Sequence, residues 1–442
     1  MKMLRNLGLM LASTFGLTLA SPALAAVEIT DVTSPAGIKA WLVESHDIPF
    51  TSLHIRFQGG SSLDAPGKRG AISLMTYTLE EGAAEMDSQA FAEAREGLAA
   101  SFSFSVDADG VDIQAQFLTE NRDQAVELLR KALQEPRFDQ AALDRVKGQM
   151  LSNIRANAKD PDDLASKALW ALAYPDHPYG SSGDGTEESV TALTRDDILA
   201  AHKGVLARDR VLVGAAGDIT PDDLGRLVDT LLAALPATGA PMPGTATYSL
   251  KPGVTVIDFP GPQSSVLFAQ GGIRQSDPDY FAAMIVNEVL GGGGFSSRLM
   301  DEVREKRGLT YGVGTSNVVN DHAEMIIGHA AVANANVAQA MEVIRAEWAR
   351  IAKDGITEQE LQDTKTYMTG AYPLRFDGNE ALSTIMVGMQ SLGLTPDYPK
   401  TRNEKVEAVT MEDVKRVAAK LFREGDLRFV VVGQPEGVTA TE

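Results

Sequence analysis

Residues 51–60, Thr-Ser-Leu-His-Ile-Arg-Phe-Gln-Gly-Gly, alternate apolar and polar side chains and end in two glycines. This alternation is typical of a β-strand with one buried face. Residues 264–272, Ser-Ser-Val-Leu-Phe-Ala-Gln-Gly-Gly, form a second predicted strand with the same Gln-Gly-Gly ending. A helical pattern follows each stretch, over about residues 70–79 and 279–290. The chain therefore contains the same strand-then-helix unit twice.

The ends of the two units also match. Helical patterns with acidic first turns cover residues 194–206 and 410–421, and each is followed by a predicted strand, at 211–214 and 428–433. The separations agree as well, because Gly217 lies 157 residues after Gly60 and Gly433 lies 161 residues after Gly272. Near-equal spacing of matched landmarks indicates an internal duplication.

A stretch rich in proline and glycine separates the two units. Residues 236–244, Pro-Ala-Thr-Gly-Ala-Pro-Met-Pro-Gly, cannot continue a helix or the interior of a sheet. We therefore predict two homologous α+β domains, residues 26–235 and 251–442, joined by a linker at 236–250. Each is expected to have a mainly antiparallel sheet covered by helices, and the two would face each other across a cleft.

Composition narrows the possible partners and the compartment. The 442 residues carry a net charge of −20, which disfavours nucleic acid, and they include no cysteine, which excludes disulfides and a cysteine nucleophile. Residues 1–25 are typical of a signal peptide, with Lys2 and Arg5 before an apolar stretch and Ala23-Leu24-Ala25 as the cleavage site. We expect a periplasmic protein without a transmembrane segment once this peptide is removed; an uncleaved anchor is the alternative.

Three segments carry a resemblance to a known family. Residues 59–70, Gly-Gly-Ser-Ser-Leu-Asp-Ala-Pro-Gly-Lys-Arg-Gly, resemble the segment that leads into the active-site helix of the insulinase and pitrilysin metallopeptidases, the inverted zincins. Residues 296–311, from Ser296 to Tyr311, look like the family's substrate-binding segment. Residues 176–180, Asp-His-Pro-Tyr-Gly, are similar to another recurring family segment, in which we expect His177 to be structural.

The resemblance implies a zinc motif, H-x-x-E-H, which this chain has lost. In the family, two histidines one helical turn apart bind Zn²⁺ and the glutamate between them activates the metal-bound water. Here Ser73 and Tyr77 occupy the histidine positions, Thr76 the glutamate position, and Asn153 is the nearest match to the third ligand. No two of the six histidines have a spacing that would place them on one helical turn. We therefore predict no metal site and no catalytic residue on this chain.

The resemblance also implies two substrate-binding residues that this chain retains, Arg304 and Tyr311. A helix is predicted from Ser296 or Ser297 to Gly308, which would place Arg304 in its last turns and Tyr311 at the start of the next strand. A guanidinium and a phenol suit the carbonyl groups of a peptide. Without the resemblance, Arg304 would be a residue of a solvated charge run and Tyr311 a core residue.

The glycine run at residues 291–294, made of Gly291, Gly292, Gly293 and Gly294, precedes that helix. Four consecutive glycines give a backbone that side chains do not restrict. The run is a candidate loop for contact with a peptide substrate. A hinge between two helices is the alternative.

These features predict a zinc-free, substrate-binding subunit of a heterodimeric periplasmic metallopeptidase, with this chain as one half of a clamshell. The partner would be a related subunit with an intact H-x-x-E-H motif and its zinc, and peptides would be the substrates. Alone, the chain is expected to be inactive. A scaffold or peptide-binding protein with no role in hydrolysis is the alternative, and an independently active peptidase would need a metal site that the sequence does not offer.

Overall fold

The computed structural model describes residues 27–441, so the predicted signal peptide at 1–25 lies outside the described residues. The strands in chain order are β1 (Thr30–Thr33), β2 (Lys39–Glu44), β3 (Phe50–Gln58), β4 (Gly82–Ala83), β5 (Met86–Asp87), β6 (Ser101–Val106), β7 (Gly110–Leu118), β8 (Val211–Gly217), β9 (Gly253–Asp258), β10 (Gln263–Gly271), β11 (Thr310–Val319), β12 (Glu324–Ala333) and β13 (Arg428–Gly433).

The α-helices are α1 (Ala71–Tyr77), α2 (Ser88–Gly97), α3 (Arg122–Gln134), α4 (Gln140–Asn157), α5 (Pro161–Ala173), α6 (Glu187–Thr191), α7 (Arg195–Val205), α8 (Pro221–Leu232), α9 (Tyr280–Asn287), α10 (Val337–Asp354), α11 (Glu358–Ala371), α12 (Asn379–Ser391), α13 (Tyr398–Glu407) and α14 (Met411–Leu421). Two segments have the wider π-helical hydrogen bonding, π1 (Glu288–Gly292) and π2 (Met300–Glu305). None of the helices in residues 27–441 has both the length and the apolar character needed to cross a membrane.

The two large sheets have the same topology. The first has the order β1-β2-β8-β3-β7-β6 and the second has the order β11-β12-β10-β13-β9. Apart from the extra strand β1, the two orders correspond strand for strand. The neighbours pair antiparallel, except for β2 with β8 and β9 with β13, which are parallel. The predicted pair of α+β domains with mainly antiparallel sheets is confirmed.

Helix starts are set by polar side chains at the expected positions. Thr194 accepts a hydrogen bond from the amide of Asp197, and Thr410 does the same for Asp413, in capping boxes that begin α7 and α14. These two helices occupy equivalent places in the two halves. The matched caps show how a short sequence repeat fixes a matched pair of helices.

The faces of the sheets are covered by an exchange of helices between the halves. α5, from the first half, packs on β10 and β13 of the second sheet, and α12, from the second half, packs on β8 and β3 of the first. Gly214 on β8 permits the close approach, since a Cβ there would lie 2.6 Å from the carbonyl oxygen of Ser383 on α12. The prediction that the strand at residues 51–60 has one exposed face is therefore wrong, because nearly all of β3 is buried.

The proline- and glycine-rich stretch contains no helix or strand between residues 236 and 252. It lies against both halves. The amide of Ser249 donates to the carbonyl of Ala173 at the end of α5 (2.8 Å), and the amide of Ala246 donates to the carbonyl of His322 (3.0 Å). Together with the exchanged helices, these bonds fix the two halves to each other.

Candidate functional site

The segment between β3 and α1 relies on glycine backbone and on one carboxylate. Gly60 and Gly70 have φ values of 41° and 94°, and a Cβ on Gly70 would lie 2.7 Å from the carbonyl oxygen of Asp184. Asp64 accepts hydrogen bonds from the amides of Gly70 (2.8 Å) and Ile72 (2.9 Å). These bonds satisfy free donors at the N-terminus of α1 and fix where the helix begins.

Ser73 and Thr76, which stand at two of the zinc-motif positions, are buried and hydrogen-bonded to backbone. Ser73 Oγ donates to the carbonyl of Gly183 at 3.0 Å. Thr76 Oγ1 donates to the carbonyl of Ile72 on its own helix at 2.8 Å. Both hydroxyls therefore serve local structure, since each donates to a backbone carbonyl and not to a side chain that could act as a general base.

Tyr77 lies one turn beyond Ser73, and both line a cavity of about 320 Å³. The Tyr77 hydroxyl donates to Asp184 Oδ1 at 3.5 Å, and burial raises the pKa of Tyr77 to about 12, so the phenol is neutral at ordinary pH. Asn320, in the turn between β11 and β12, lines the same cavity from the second half. Two of the positions assigned to the family's zinc motif thus border a pocket between the halves, which Arg69 also lines.

Asn153 lies apart from this cavity. It is exposed on α4, where it accepts a hydrogen bond from Gln149 at 2.9 Å, and it is not a lining residue. Across residues 27–441 there is no group of three or more His, Cys, Asp or Glu side chains arranged to hold a metal ion. The structure therefore brings Ser73 and Tyr77 together but not Asn153.

A polar and aromatic cluster joins the halves beside this cavity. Tyr179 donates to the carboxylate of Asp109 and accepts from the amide of His322 at 3.1 Å. The amide of Asp321 donates to Asp109 Oδ2, also at 3.1 Å. The rings of His177 and His322 are 5.7 Å apart, and burial lowers the pKa of both imidazoles. Sequence spacing does not reveal this pair, because tertiary packing alone brings the two histidines together.

The glycine run at Gly291–Gly294 is packed. A Cβ on Gly291 would lie 2.5 Å from Thr315 Oγ1 on β11, and one on Gly292 would lie 2.9 Å from the Glu288 carboxylate. Gly291 and Gly292 belong to π1, whose wider hydrogen bonding continues into the loop. Close packing is thus one physical reason for glycine at Gly291 and Gly292. A contact between this loop and a peptide stays a prediction.

The segment that carries Arg304 ends as predicted but differs in helix type. The amide of Lys306 donates to the carbonyl of Asp301, which is the i to i+5 bond of a π-helix, where an α-helix was expected. Gly308 then adopts a φ of 62°. Its amide donates to the carbonyl of Arg304 at 2.8 Å and terminates the helix. π-helical turns are uncommon and occur often at functional sites.

Arg304 and Tyr311 both reach the surface. The Arg304 guanidinium donates to Glu305 at 2.8 Å and lies 4.9 Å from the centre of the Phe295 ring. Tyr311 is 87% exposed and Phe295 is 76% exposed. The strand pairing of β11 shifts between Thr310 and Val313, so Tyr311 lies in a β-bulge at the edge of the sheet.

This surface offers groups that suit an extended peptide. Tyr311 contributes a hydroxyl donor and Arg304 several N–H donors, and the apolar ring of Phe295 lies beside Arg304. Sequence reasoning missed Phe295, although its position directly after the glycine run was visible. Phe295 is recognised only from the structure, because a large aromatic side chain is rarely so exposed without a binding role.

Comparisons with known proteins agree over most of the chain. Residues 40–187 match the family described as Insulinase (Peptidase family M16), and residues 192–368 match the Peptidase M16 inactive domain. The protein named non-peptidase homolog YmxG of Helicobacter pylori is 27% identical over 393 residues, which cover 88% of this chain and 90% of that protein. An uncharacterized zinc protease YmxG of Bacillus subtilis is 24% identical and covers 88% of this chain and 94% of its own length.

A solved structure agrees with the fold as well. The peptidase M16 inactive domain from Pseudomonas fluorescens superposes with a TM-score of 0.87 and 29% sequence identity, over 94% of this chain and 99% of that chain. The family resemblance seen in the sequence is thereby confirmed. The chain belongs to the peptidase M16 (insulinase) family, as a member that lacks the H-x-x-E-H motif.

Proposed function

We propose that this chain is the non-catalytic, substrate-binding subunit of a heterodimeric metallopeptidase. The observation that carries the proposal is a contrast between two sets of residues. Ser73 and Thr76 at the former zinc motif are buried and bonded to backbone, whereas Tyr311 stands at the surface with nearly all of its side chain exposed. A family member that retains only substrate-binding groups needs a partner to supply the chemistry.

The division of labour follows from the groups each subunit holds. The partner would be a related subunit whose H-x-x-E-H motif binds zinc and activates water. On this chain, Arg304 would donate to carbonyl oxygens of the bound peptide, and the Tyr311 hydroxyl would donate to the carbonyl that is attacked. Such a donor acts most strongly on the negative charge that develops on that oxygen during the reaction.

Export is part of the same proposal. The n-region, apolar stretch and small-residue cleavage site of residues 1–25 are typical of a secretory signal. We place the mature protein, and therefore its partner, in the periplasm. The lack of cysteine is compatible with that oxidising compartment.

The test is reconstitution. The mature chain is produced with a related exported protein that contains H-x-x-E-H, and the two are purified through a tag on one of them. We expect a stable complex that cleaves peptides, while this chain alone is inactive. Failure of every such relative to associate, or full activity of the zinc-bearing subunit alone, would contradict the proposal.

A scaffold role is the second candidate, and one observation favours it. Arg304 already donates to Glu305, so its guanidinium is partly engaged without any substrate. A scaffold would form the complex equally well but would not respond to loss of the Arg304 and Tyr311 functional groups. Substitution of these two residues in the reconstituted pair therefore separates the two candidates.

A further inference from the structure

A second cavity lies in the second half, in a region that the proposed peptidase role does not use. It has a volume of about 420 Å³, is partly open to solvent, and is lined by α9, the end of α11, α12 and the start of α13. This volume falls in the range of small-molecule sites. Neither Arg304 nor Tyr311 lines it, and neither does any residue of the former zinc motif.

The wall of this cavity is mostly apolar and aromatic. Met284, Met368, Ile385 and Met389 supply aliphatic surface. Three tyrosines add rings with polar tips, and the hydroxyl of one of them, Tyr398, accepts a hydrogen bond from Gln275 at 3.1 Å. A wall of this kind suits an apolar body of a few carbon atoms or one ring.

The charged groups at the cavity are both cations. Arg375 and Arg402 line it, and the lining includes no aspartate or glutamate, in a chain with a net charge of −20. Within residues 27–441, neither guanidinium forms an ion pair with a carboxylate: Arg402 donates to the carbonyl of Met368 (2.7 Å) and lies 4.5 Å from the centre of the Tyr372 ring.

The tyrosines cannot compensate this positive charge. Burial raises the pKa of Tyr372 to about 12, so its hydroxyl stays neutral at ordinary pH. Burial also lowers the pKa of Arg402, and the nearby charge of Arg375 acts in the same direction. Two positive charges beside an apolar cavity repel each other. An anion that carries an apolar group would reduce this repulsion and fill the cavity.

We propose that this cavity binds a small amphipathic carboxylate, with its apolar part against the methionines and tyrosines and its carboxylate at Arg375 and Arg402. Two sources share this chemistry: a medium-chain fatty acid, and the C-terminal residue of a short peptide with an apolar side chain. An inorganic anion would leave the apolar wall unused, and a neutral apolar molecule would leave the two guanidinium groups without an anionic partner.

Calorimetric titration of the mature full-length chain tests the proposal. The probes are octanoate for the fatty acid and N-acetyl-leucine for the peptide end, each paired with a neutral analogue, 1-octanol and N-acetyl-leucine amide. We expect at least one carboxylate to bind about tenfold or more tightly than its neutral analogue, as loss of a charge-assisted hydrogen bond predicts. The probe that binds more tightly identifies the source, and equal or absent binding of all four overturns the proposal.

Two variants locate the ligand. Arg375→Gln replaces an exposed guanidinium by a shorter neutral amide and should weaken carboxylate binding about tenfold without affecting the neutral analogue. Gly388 lines the cavity, and a Cβ on it would meet no atom within 4 Å, so Gly388→Leu has room to occupy the cavity and should abolish binding.

The matched control is Gly370→Leu on α11, which also meets no atom within 4 Å and does not line the cavity. Replacement of a helical glycine favours folding at both positions, so a lower melting temperature is not expected. Unchanged octanoate affinity in both Arg375→Gln and Gly388→Leu would place the ligand elsewhere and overturn the proposal.

Discussion

The two halves of the chain share a strand order but hold their candidate site residues in opposite ways. On α1 of the first half, Ser73 and Thr76 are fully buried and their hydroxyls donate to backbone carbonyls. In the second half, Phe295 in the loop after π1 and Tyr311 at the start of β11 project from the surface with most of their area exposed. In the first half the candidate site residues are therefore part of the packed interior. In the second half they make little contribution to packing.

The difference gives the two sites different physical constraints. A buried hydroxyl with a backbone partner is required for stability, because removal of its bond leaves an unsatisfied polar group. An exposed tyrosine contributes little to stability, so a role for it must come from its contacts with another molecule. The comparison predicts that changes at the first site affect stability and that changes at the second affect binding or rate.

The largest expected effect is on rate at the second site. In the reconstituted peptidase, Tyr311→Phe removes one hydroxyl donor and should lower kcat by about 10²–10³-fold, as loss of an oxyanion donor typically does. Arg304→Gln should weaken substrate binding and raise KM. Neither change should lower the melting temperature of the chain by itself. Steady-state kinetics on a fluorogenic peptide measures both parameters.

Tyr367→Phe provides the matched control, because Tyr367 is another exposed tyrosine, 63% accessible, on α11. It should leave both kinetic parameters unchanged. If Tyr311→Phe also leaves kcat and KM unchanged, Tyr311 does not act in hydrolysis and the scaffold role is preferred.

The next effect is on stability at the first site. Thr76→Glu restores the acidic residue of the zinc motif but places a carboxylate where the side chain is fully buried. Because this charge has no partner there, we expect a loss of about 3 kcal/mol in the free energy of unfolding. Tyr311→Glu introduces the same residue at the exposed site and should change stability by less than about 0.5 kcal/mol. Urea unfolding compares the two.

A smaller effect on stability is expected at Gly70, where the backbone conformation before α1 requires glycine. Gly70→Ala adds a Cβ at a φ of 94°, 2.7 Å from the Asp184 carbonyl oxygen, and should cost about 2 kcal/mol of stability. Gly148→Ala on α4 meets no atom within 4 Å and should instead stabilise by about 0.5 kcal/mol. We expect Gly70→Ala to lower the melting temperature and Gly148→Ala to raise it. Equal changes in the two variants would show that the geometry at Gly70 does not require glycine.

The sequence was informative wherever short-range physics decides structure. Alternation, capping residues such as Thr194 and Thr410, and the glycine stop at Gly308 place strands and helices to within about three residues. The duplication and the family followed from such local patterns. The positions of Ser73, Tyr77, Arg304 and Tyr311 on their elements followed from the family.

Long-range packing was not visible in the same way. The exchange of α5 and α12 depends on which apolar helix face meets which sheet, and no local pattern distinguishes a helix of one half from its counterpart. The exchange is also why β3 lacks its expected exposed face. The His177–His322 pair and the two-arginine cavity likewise join residues that are far apart in the chain.

The smallest predicted effect concerns the contact between the two halves. Asp321 lies beside Asp109, and burial raises the pKa of Asp321 to about 6. Because this value is above the ordinary value of 3.8, the folded state favours the protonated form, and the ionised form lowers stability as pH rises through about 6. Asp321→Asn should therefore raise the free energy of unfolding at pH 7.5, by about 1 kcal/mol once solvent screening of this partly exposed group is allowed for.

At about pH 3 the advantage of Asp321→Asn should nearly vanish, since the wild-type carboxyl is then mostly protonated in both the folded and the unfolded state and resembles the amide. Urea midpoints at the two pH values measure the difference. Asp123→Asn is the control, because that side chain is fully exposed and should show no such dependence. An Asp321→Asn variant whose gain is the same at both pH values would show that packing, and not charge, governs this contact between the halves.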